Sequence, residues 1–142
     1  MIIDPTYIQQ VLNVQVNEQV LNYLIKHVFN DICNKVGLKS SLEEEEILTV
    51  LQDPIENPNI LENDITLFQE TLIYGIACNL IEINEQVIDI PTYLFDFYHD
   101  LEEITYCNLY DYCLQNLDDY LQSTSQVDYV REYLFLDNRI SD

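Results

Sequence analysis

Residues 20–37 read VLNYLIKHVFNDICNKVG, and this stretch decides the fold class. Apolar side chains recur in it every three or four positions, which is the spacing of the buried face of an α-helix. They are Val20, Leu21, Leu24, Ile25, Val28, Phe29, Ile32, Cys33 and Val36. Asn17 precedes the stretch as a candidate N-cap, and Gly37 stands where a left-handed C-cap is expected. The stretch therefore predicts a long amphipathic helix.

Two shorter helices are predicted on either side of it. Asp4 is a candidate N-cap and Pro5 suits the first helical position, which predicts a short helix that ends near Leu12. Ser41 and Glu44 form a capping box, which predicts a helix to about residue 52. Its first turn carries a run of carboxylates that the helix dipole favours and that are candidates for an acidic surface: Glu43, Glu44, Glu45 and Glu46.

The second half of the chain predicts a central helix and then the longest helix. Residues 64–83 have an almost continuous apolar face, and Gly75 and Ala77 in it predict the close approach of a neighbouring backbone. After Pro91, apolar residues at steps of three and four predict one helix over 92–121: Phe97, Leu101, Ile104, Cys107, Tyr110, Leu114, Leu117 and Leu121. A short helix near 127–134 and a polar tail follow.

These elements predict an all-α fold, a compact bundle of about five helices with one long helix in its C-terminal half and a C-terminal extension. The predicted bundle covers residues 1–122, and residues 123–142 form a short helix and a tail that is a candidate docking segment. No membrane span and no secretory signal are predicted. We therefore expect a soluble protein that is made in the cytoplasm.

The four cysteines, Cys33, Cys78, Cys107 and Cys113, lie far apart in apolar contexts and form no C-x-x-C pair. This pattern favours free, reduced and buried thiols over a disulfide framework.

The charge balance limits the classes of partner. Five basic residues stand against 26 acidic ones, for a formal charge of −21, and both halves of the chain are acidic. Binding to nucleic acid phosphates or to anionic membranes requires a basic patch, which five scattered cations do not form. The acidity therefore indicates a solvated surface, a surface that repels DNA, or one that imitates DNA.

The sequence predicts no enzyme and no cofactor or metal site. Its two glycines form no phosphate-binding loop, and the spacings of zinc and calcium motifs are missing. The histidines His27 and His99 stand alone.

Tyrosine is unusually frequent, with 11 residues and no tryptophan. Tyr106 and Tyr112 fall off the apolar stripe of the predicted long helix, which predicts rings at the surface that contact another protein. The alternative is that tyrosines cover the wide edge of a core helix.

Three stretches, in this order, resemble the head–tail connector (adaptor or head-completion) proteins of tailed bacteriophages. The first has LNV at 12–14, VLNYLI at 20–25 and ICNKVG at 32–37. The second is the apolar FQETLIYGIACNLIE at 68–82, and the third is IPTYLFDFY at 90–98. Together they cover roughly the first 100 residues. The chain departs from the family pattern in the loop around Asp53 to Glu62 and after about residue 105, and it lacks the basic residues usual in the central helix and after the tyrosine.

The resemblance implies a non-enzymatic virion protein at the head–tail interface. Such subunits form a ring, typically of about twelve copies, that joins the portal protein to tail-completion (stopper) proteins. An acidic lumen would repel phosphates, so that DNA passes without specific binding. The C-terminal segment would then dock on the portal through Tyr129, Tyr133, Phe135 and Arg139.

A second hypothesis fits the same composition. A small, helical, acidic chain also suits a DNA mimic that inhibits a defence nuclease or another DNA-binding protein, of the anti-restriction or anti-CRISPR type. Two rows of carboxylates at phosphate-like spacing would favour the mimic, and carboxylates that face a common axis would favour the ring.

Overall fold

Five helices make up the part of the chain that the computed structural model describes, which is residues 3–39 and 66–124. They are α1 (Pro5–Leu12), α2 (Glu18–Val36), α3 (Leu67–Asn84), α4 (Thr92–Phe97) and α5 (Tyr106–Thr124). These residues contain no strand, so the predicted all-α class is confirmed. None of the described helices has the length and apolar character that crossing a membrane requires. The helices predicted near 41–52 and 127–134 lie outside the described residues.

The first two helices begin and end at the residues that the sequence predicts. The carboxylate of Asp4 accepts a hydrogen bond of 2.8 Å from the backbone N–H of Tyr7, and Pro5 opens α1. The side chain of Asn17 accepts a bond of 2.7 Å from the N–H of Gln19 and so caps α2. Gly37 ends α2 with a φ of 78°, in the left-handed region that glycine adopts without strain.

Helix α3 is the centre of the bundle. Residues 67–77 are all buried, including the polar Gln69, Glu70 and Thr71. The helix packs most extensively on α5 and next on α2, while α1 packs on α2. It begins at Leu67, three residues later than predicted, because Thr66 and Gln69 form a capping box there.

Gly75 allows this close packing, but side chains approach it and not the neighbouring backbone that the sequence predicts. A Cβ atom at position 75 would lie 2.5 Å from Cγ1 of Val28 in α2 and 2.7 Å from Cε1 of Tyr110 in α5. Both distances are too short for a real contact, so only glycine fits between the two neighbouring helices without a shift.

The prediction of one long helix over 92–121 is wrong. The chain leaves the helix after Phe97, passes through a turn at 98–105, and starts a new helix at Tyr106. Thr105 caps the new helix, because its side-chain oxygen accepts a hydrogen bond of 3.0 Å from the N–H of Asn108. The apolar stripe from Tyr110 to Leu121 is buried as predicted, whereas Phe97 is not.

Candidate functional site

An apolar surface is exposed around the end of α3 and along α4. The described residues contain six large exposed apolar side chains, and five of them lie between positions 83 and 97. Their exposed fractions are 67% for Ile83, 90% for Val87, 41% for Tyr93, 48% for Phe95 and 48% for Phe97. We call these five residues the 83–97 surface. Aromatic rings exposed in this way are characteristic of sites that bind another protein.

Carboxylates alternate with these apolar residues along the chain. They are Glu82, Glu85, Asp89, Asp96 and Asp100, and all five are exposed. No lysine or arginine occurs between residues 66 and 124, so this part of the bundle has a uniformly negative potential. In the described residues, the lysines lie in α2 or just after it: Lys26, Lys35 and Lys39. A partner that contacts the 83–97 surface therefore needs both apolar and basic side chains.

An open depression of about 380 Å³ lies between the turn at 98–105 and α5. Glu102, Glu103 and Asp111 contribute carboxylates to its lining, and Leu101 and Tyr112 contribute apolar surface. A lysine or arginine side chain has both a long apolar stem and a charged head, which matches this lining.

A buried polar cluster joins α3, α4 and α5. Oε1 of Glu70 accepts a hydrogen bond of 2.5 Å from the hydroxyl of Tyr74 and a longer one of 3.4 Å from the hydroxyl of Tyr98. The same Tyr98 hydroxyl lies 3.8 Å from Sγ of Cys113 in α5. We call these four residues the Glu70 cluster. Its polar atoms satisfy one another inside an apolar core, which is the usual condition for burying such groups.

Burial sets the protonation of the cluster. Loss of solvation raises the pKa of Glu70 from 4.5 to about 7, and the hydrogen bonds from Tyr74 and Tyr98 oppose the rise only in part. Burial likewise raises the pKa of Tyr74, of Tyr98 and of the Cys113 thiol above their ordinary values. The phenols and the thiol therefore stay neutral at physiological pH, while the carboxyl titrates close to it.

The Glu70 cluster lies inside the core and not at the surface. Glu70 is 1% exposed and Cys113 is 0% exposed. Tyr98 directly follows α4, and its ring also packs edge-on against Tyr112 at 5.4 Å between centroids. The cluster thus fixes the C-terminal end of α4 to the core and so positions the exposed rings of Phe95 and Phe97.

The structure corrects the prediction of four free cysteines. Cys78 in α3 and Cys107 in the first turn of α5 form a disulfide, with 4.7 Å between their Cα atoms. Cys33 and Cys113 are free and buried, as predicted. The sequence gives no spacing signal for the bridge, because the two residues are 29 positions apart and meet only when α3 packs on α5.

Of the two tyrosines predicted to reach the surface, Tyr106 is buried and Tyr112 is partly exposed. Tyr106 is 2% exposed, and its hydroxyl donates a hydrogen bond of 3.1 Å to the carbonyl oxygen of Asp89. Tyr112 is half-buried against Tyr98. Tyr106 lies four residues before the buried Tyr110 and therefore on the same face of α5. The other predicted sites lie outside the described residues: Glu43, Glu44, Glu45, Glu46, Tyr129, Tyr133, Phe135 and Arg139.

His27 lies apart from these features, whereas His99 lies among the exposed carboxylates that follow α4. His27 stacks on Tyr23 in α2, with 5.7 Å between ring centroids, and Nδ1 of His99 lies 3.0 Å from the carbonyl oxygen of Asp96. Comparison of the chain with protein-family models, with curated proteins and with solved structures finds no match.

Proposed function

We propose that this chain is a structural protein that works by binding other protein chains through the 83–97 surface. The observation that carries the proposal is the exposure of five large apolar side chains in one short segment, with Val87 at 90%. Aromatic residues at the centre of an interface contribute most of the binding energy, and Phe95 and Phe97 are the candidates for that role. The Glu70 cluster supports the proposal because it holds these rings in place before a partner arrives.

Within that class, we propose the role of a head–tail connector subunit in a tailed bacteriophage. The order of elements supports this role, since the three family-like stretches coincide with separate parts of the bundle. The first ends with α2 at Gly37, the second covers most of α3, and the third contains Pro91 and α4. The unmatched part after about residue 105 contains α5, the main packing partner of α3.

The acidity has a mechanical role in such a ring. A surface that carries carboxylates without lysine or arginine between 66 and 124 repels phosphates along a DNA channel. DNA then moves past the subunit without a binding site on the wall. The 83–97 surface contacts a neighbouring subunit or the portal protein, and basic side chains of that partner pair with the exposed carboxylates.

The experiment that tests this proposal mixes the purified chain with the portal protein of the same genome and measures complex formation by sedimentation velocity. We expect a complex whose mass corresponds to a ring of about twelve copies of each chain. The double variant Phe95→Ser, Phe97→Ser is expected to weaken the association about 1,000-fold or more, because each buried interface ring contributes about 2 kcal/mol or more.

Tyr23→Ser is the matched control. Tyr23 is also an exposed aromatic residue, at 66%, but it lies in α2 outside the 83–97 surface. The proposal requires this variant to bind like the native chain. If the Phe95/Phe97 variant bound the portal protein as tightly as the native chain does, the 83–97 surface would not be the binding surface. The DNA-mimic function would be established if the chain did not bind the portal protein and instead bound a nuclease, and if duplex DNA displaced the chain from that nuclease.

A further inference from the structure

Three ligand-type atoms converge where α3 meets the first turn of α5. Sγ of Cys78, Sγ of Cys107 and a carboxylate oxygen of Glu82 all lie within 4.8 Å of one another. The Glu82 oxygen is 3.4 Å from the sulfur of Cys107. Cys78 and Glu82 are four residues apart in α3, so their side chains lie on the same face of that helix. This group shares no residue with the Glu70 cluster or with the 83–97 surface, and Glu82 is also one of the carboxylates beside that surface.

We propose that Cys78, Glu82 and Cys107 bind a zinc ion when the disulfide between the two cysteines is reduced. Two thiolates and one carboxylate are ligands that zinc accepts in a tetrahedral site, and the thiolates disfavour harder cations such as magnesium and calcium. Three protein ligands leave the fourth position for a water molecule. The site connects α3 to α5, so zinc restores in the reduced protein the cross-link that the disulfide provides in the oxidised protein.

The two states exclude each other for a chemical reason. Reduction of the sulfur–sulfur bond takes up two electrons and two protons and yields two thiols, and a dithiol reductant supplies both and becomes a disulfide itself. Zinc then displaces the two thiol protons to solvent and binds the resulting thiolates. In the oxidised protein the same sulfur atoms are bonded to each other and have no thiolate charge to offer a metal.

The surroundings of the site favour a divalent cation. Glu82 is exposed and Cys107 is only partly buried, so a metal ion can approach the group from the side of these two residues. No lysine or arginine between residues 66 and 124 competes for the carboxylate, and the local potential is negative. In a reducing compartment, where disulfides are rare, Cys78 and Cys107 would therefore still connect α3 to α5 by binding zinc.

The test uses the full chain, reduced with a phosphine that is then removed, and titrated with zinc chloride against a chromophoric chelator. We expect about one zinc ion per chain and release of about two protons, measured by calorimetry in two buffers of different ionisation enthalpy. Cobalt(II) in place of zinc is expected to give the charge-transfer absorption of a cobalt thiolate. The oxidised chain is the internal control, because it is the same folded molecule and should show neither the tight binding nor the absorption band.

Variants assign the ligands. Cys107→Ser leaves one thiolate and is therefore expected to remove the absorption band of a two-thiolate cobalt site. Glu82→Gln is expected to weaken zinc binding by about tenfold or more. Glu85→Gln removes an exposed carboxylate one turn away and is expected to bind like the native chain, as is the double variant Cys33→Ala, Cys113→Ala. Equal zinc affinity of the oxidised and reduced chains would overturn the proposal. A cobalt thiolate band that needs Cys33 or Cys113 would overturn it as well.

Discussion

Gly75 in α3 lies against the ring of Tyr110 in α5, so closely that a methyl group at position 75 would be 2.7 Å from Cε1 of the ring. The same methyl group would be 2.5 Å from Cγ1 of Val28 in α2. Three helices therefore meet around a position that has no space for a side chain. This contact lies on the main packing interface of the bundle, that of α3 with α5.

We expect Gly75→Ala to destabilise the protein. Overpacking of a core costs about 1–3 kcal/mol, and the higher helix propensity of alanine recovers about 1 kcal/mol at most. Urea unfolding measures the difference. The penalty is expected to be smaller by about 0.5 kcal/mol or more in a Val28→Ala background, since that change removes the nearest clashing atom. A more stable Gly75→Ala protein would show that the three helices are not in close contact.

We expect Glu70 to make stability fall as the pH rises. The pKa of Glu70 is raised by burial to about 7 in the folded protein, from 4.5 when it is solvated. Between these values the folded state holds a proton that the unfolded state has lost. The stability that this proton provides is complete below about pH 4.5 and is lost as the pH rises through about 7. The difference corresponds to about 3 kcal/mol.

The variant Glu70→Gln tests this pH dependence, because its amide does not ionise. Relative to the native chain, its free energy of unfolding is expected to rise by about 3 kcal/mol between about pH 5 and about pH 8. Glu103→Gln is the matched control, since it removes the same charge from an exposed position. A similar pH dependence in both variants would mean that net charge, and not the buried carboxyl, causes the effect.

We expect Tyr110→Phe to weaken the contact between α5 and α2. The Tyr110 hydroxyl donates a hydrogen bond of 2.7 Å to Oδ2 of Asp31, which also pairs with Lys35 at 3.0 Å. Partial burial raises the pKa of Asp31, but the bond from Tyr110 and the pairing with Lys35 outweigh it and hold that pKa below 3.8. Loss of the hydroxyl is expected to cost about 1–2 kcal/mol.

The same variant is expected to raise the pKa of Asp31, which carbon-detected NMR of the carboxyl group measures. Tyr23→Phe, at an exposed position in α2, serves as the control and should change neither quantity. An unchanged Asp31 pKa in Tyr110→Phe would rule out the phenol as the group that stabilises the carboxylate.

We expect reduction of the disulfide to lower the melting temperature when a chelator keeps metal ions away. The bridge joins residues 29 positions apart, and closing a loop of that length stabilises a protein by about 3–4 kcal/mol in the chain-entropy model. The corresponding decrease is about 10 °C, measured by calorimetry. A chain with Cys33→Ala and Cys113→Ala should show the same decrease, because neither residue is part of the bridge. An identical melting temperature for both redox states would contradict the bridge.

Local signals in the sequence predict much of the fold. Asp4, Asn17 and Gly37 mark helix ends because a cap depends on only a few neighbouring residues. The stripe of α2 depends only on helical spacing, and the close approach at Gly75 follows from a glycine inside an apolar helix. These features need no knowledge of which helices are neighbours.

The candidate site depends on contacts that the sequence does not indicate. The break between α4 and α5 leaves Phe97 exposed. Thr105 is the one local signal of this break, because it is a good N-cap within a run of residues whose apolar spacing continues unbroken. Tyr106 is buried because it lies four residues before Tyr110, on the face of α5 that packs in the core. Cys78 and Cys107 come together only through the packing of α3 on α5, so their separation in sequence gave no reason to pair them.

Every lysine of the described residues lies in α2 or just after it, so carboxylates dominate the electrostatic potential around residues 66–124. At about 0.1 M salt, charges separated by more than about 10 Å are largely screened. Below that ionic strength the carboxylates of residues 66–124 act well beyond the surface, so that they repel anionic molecules and attract basic ones before contact. The ionic strength therefore controls which molecules approach the 83–97 surface, and contact with its aromatic rings distinguishes only between molecules that have already approached.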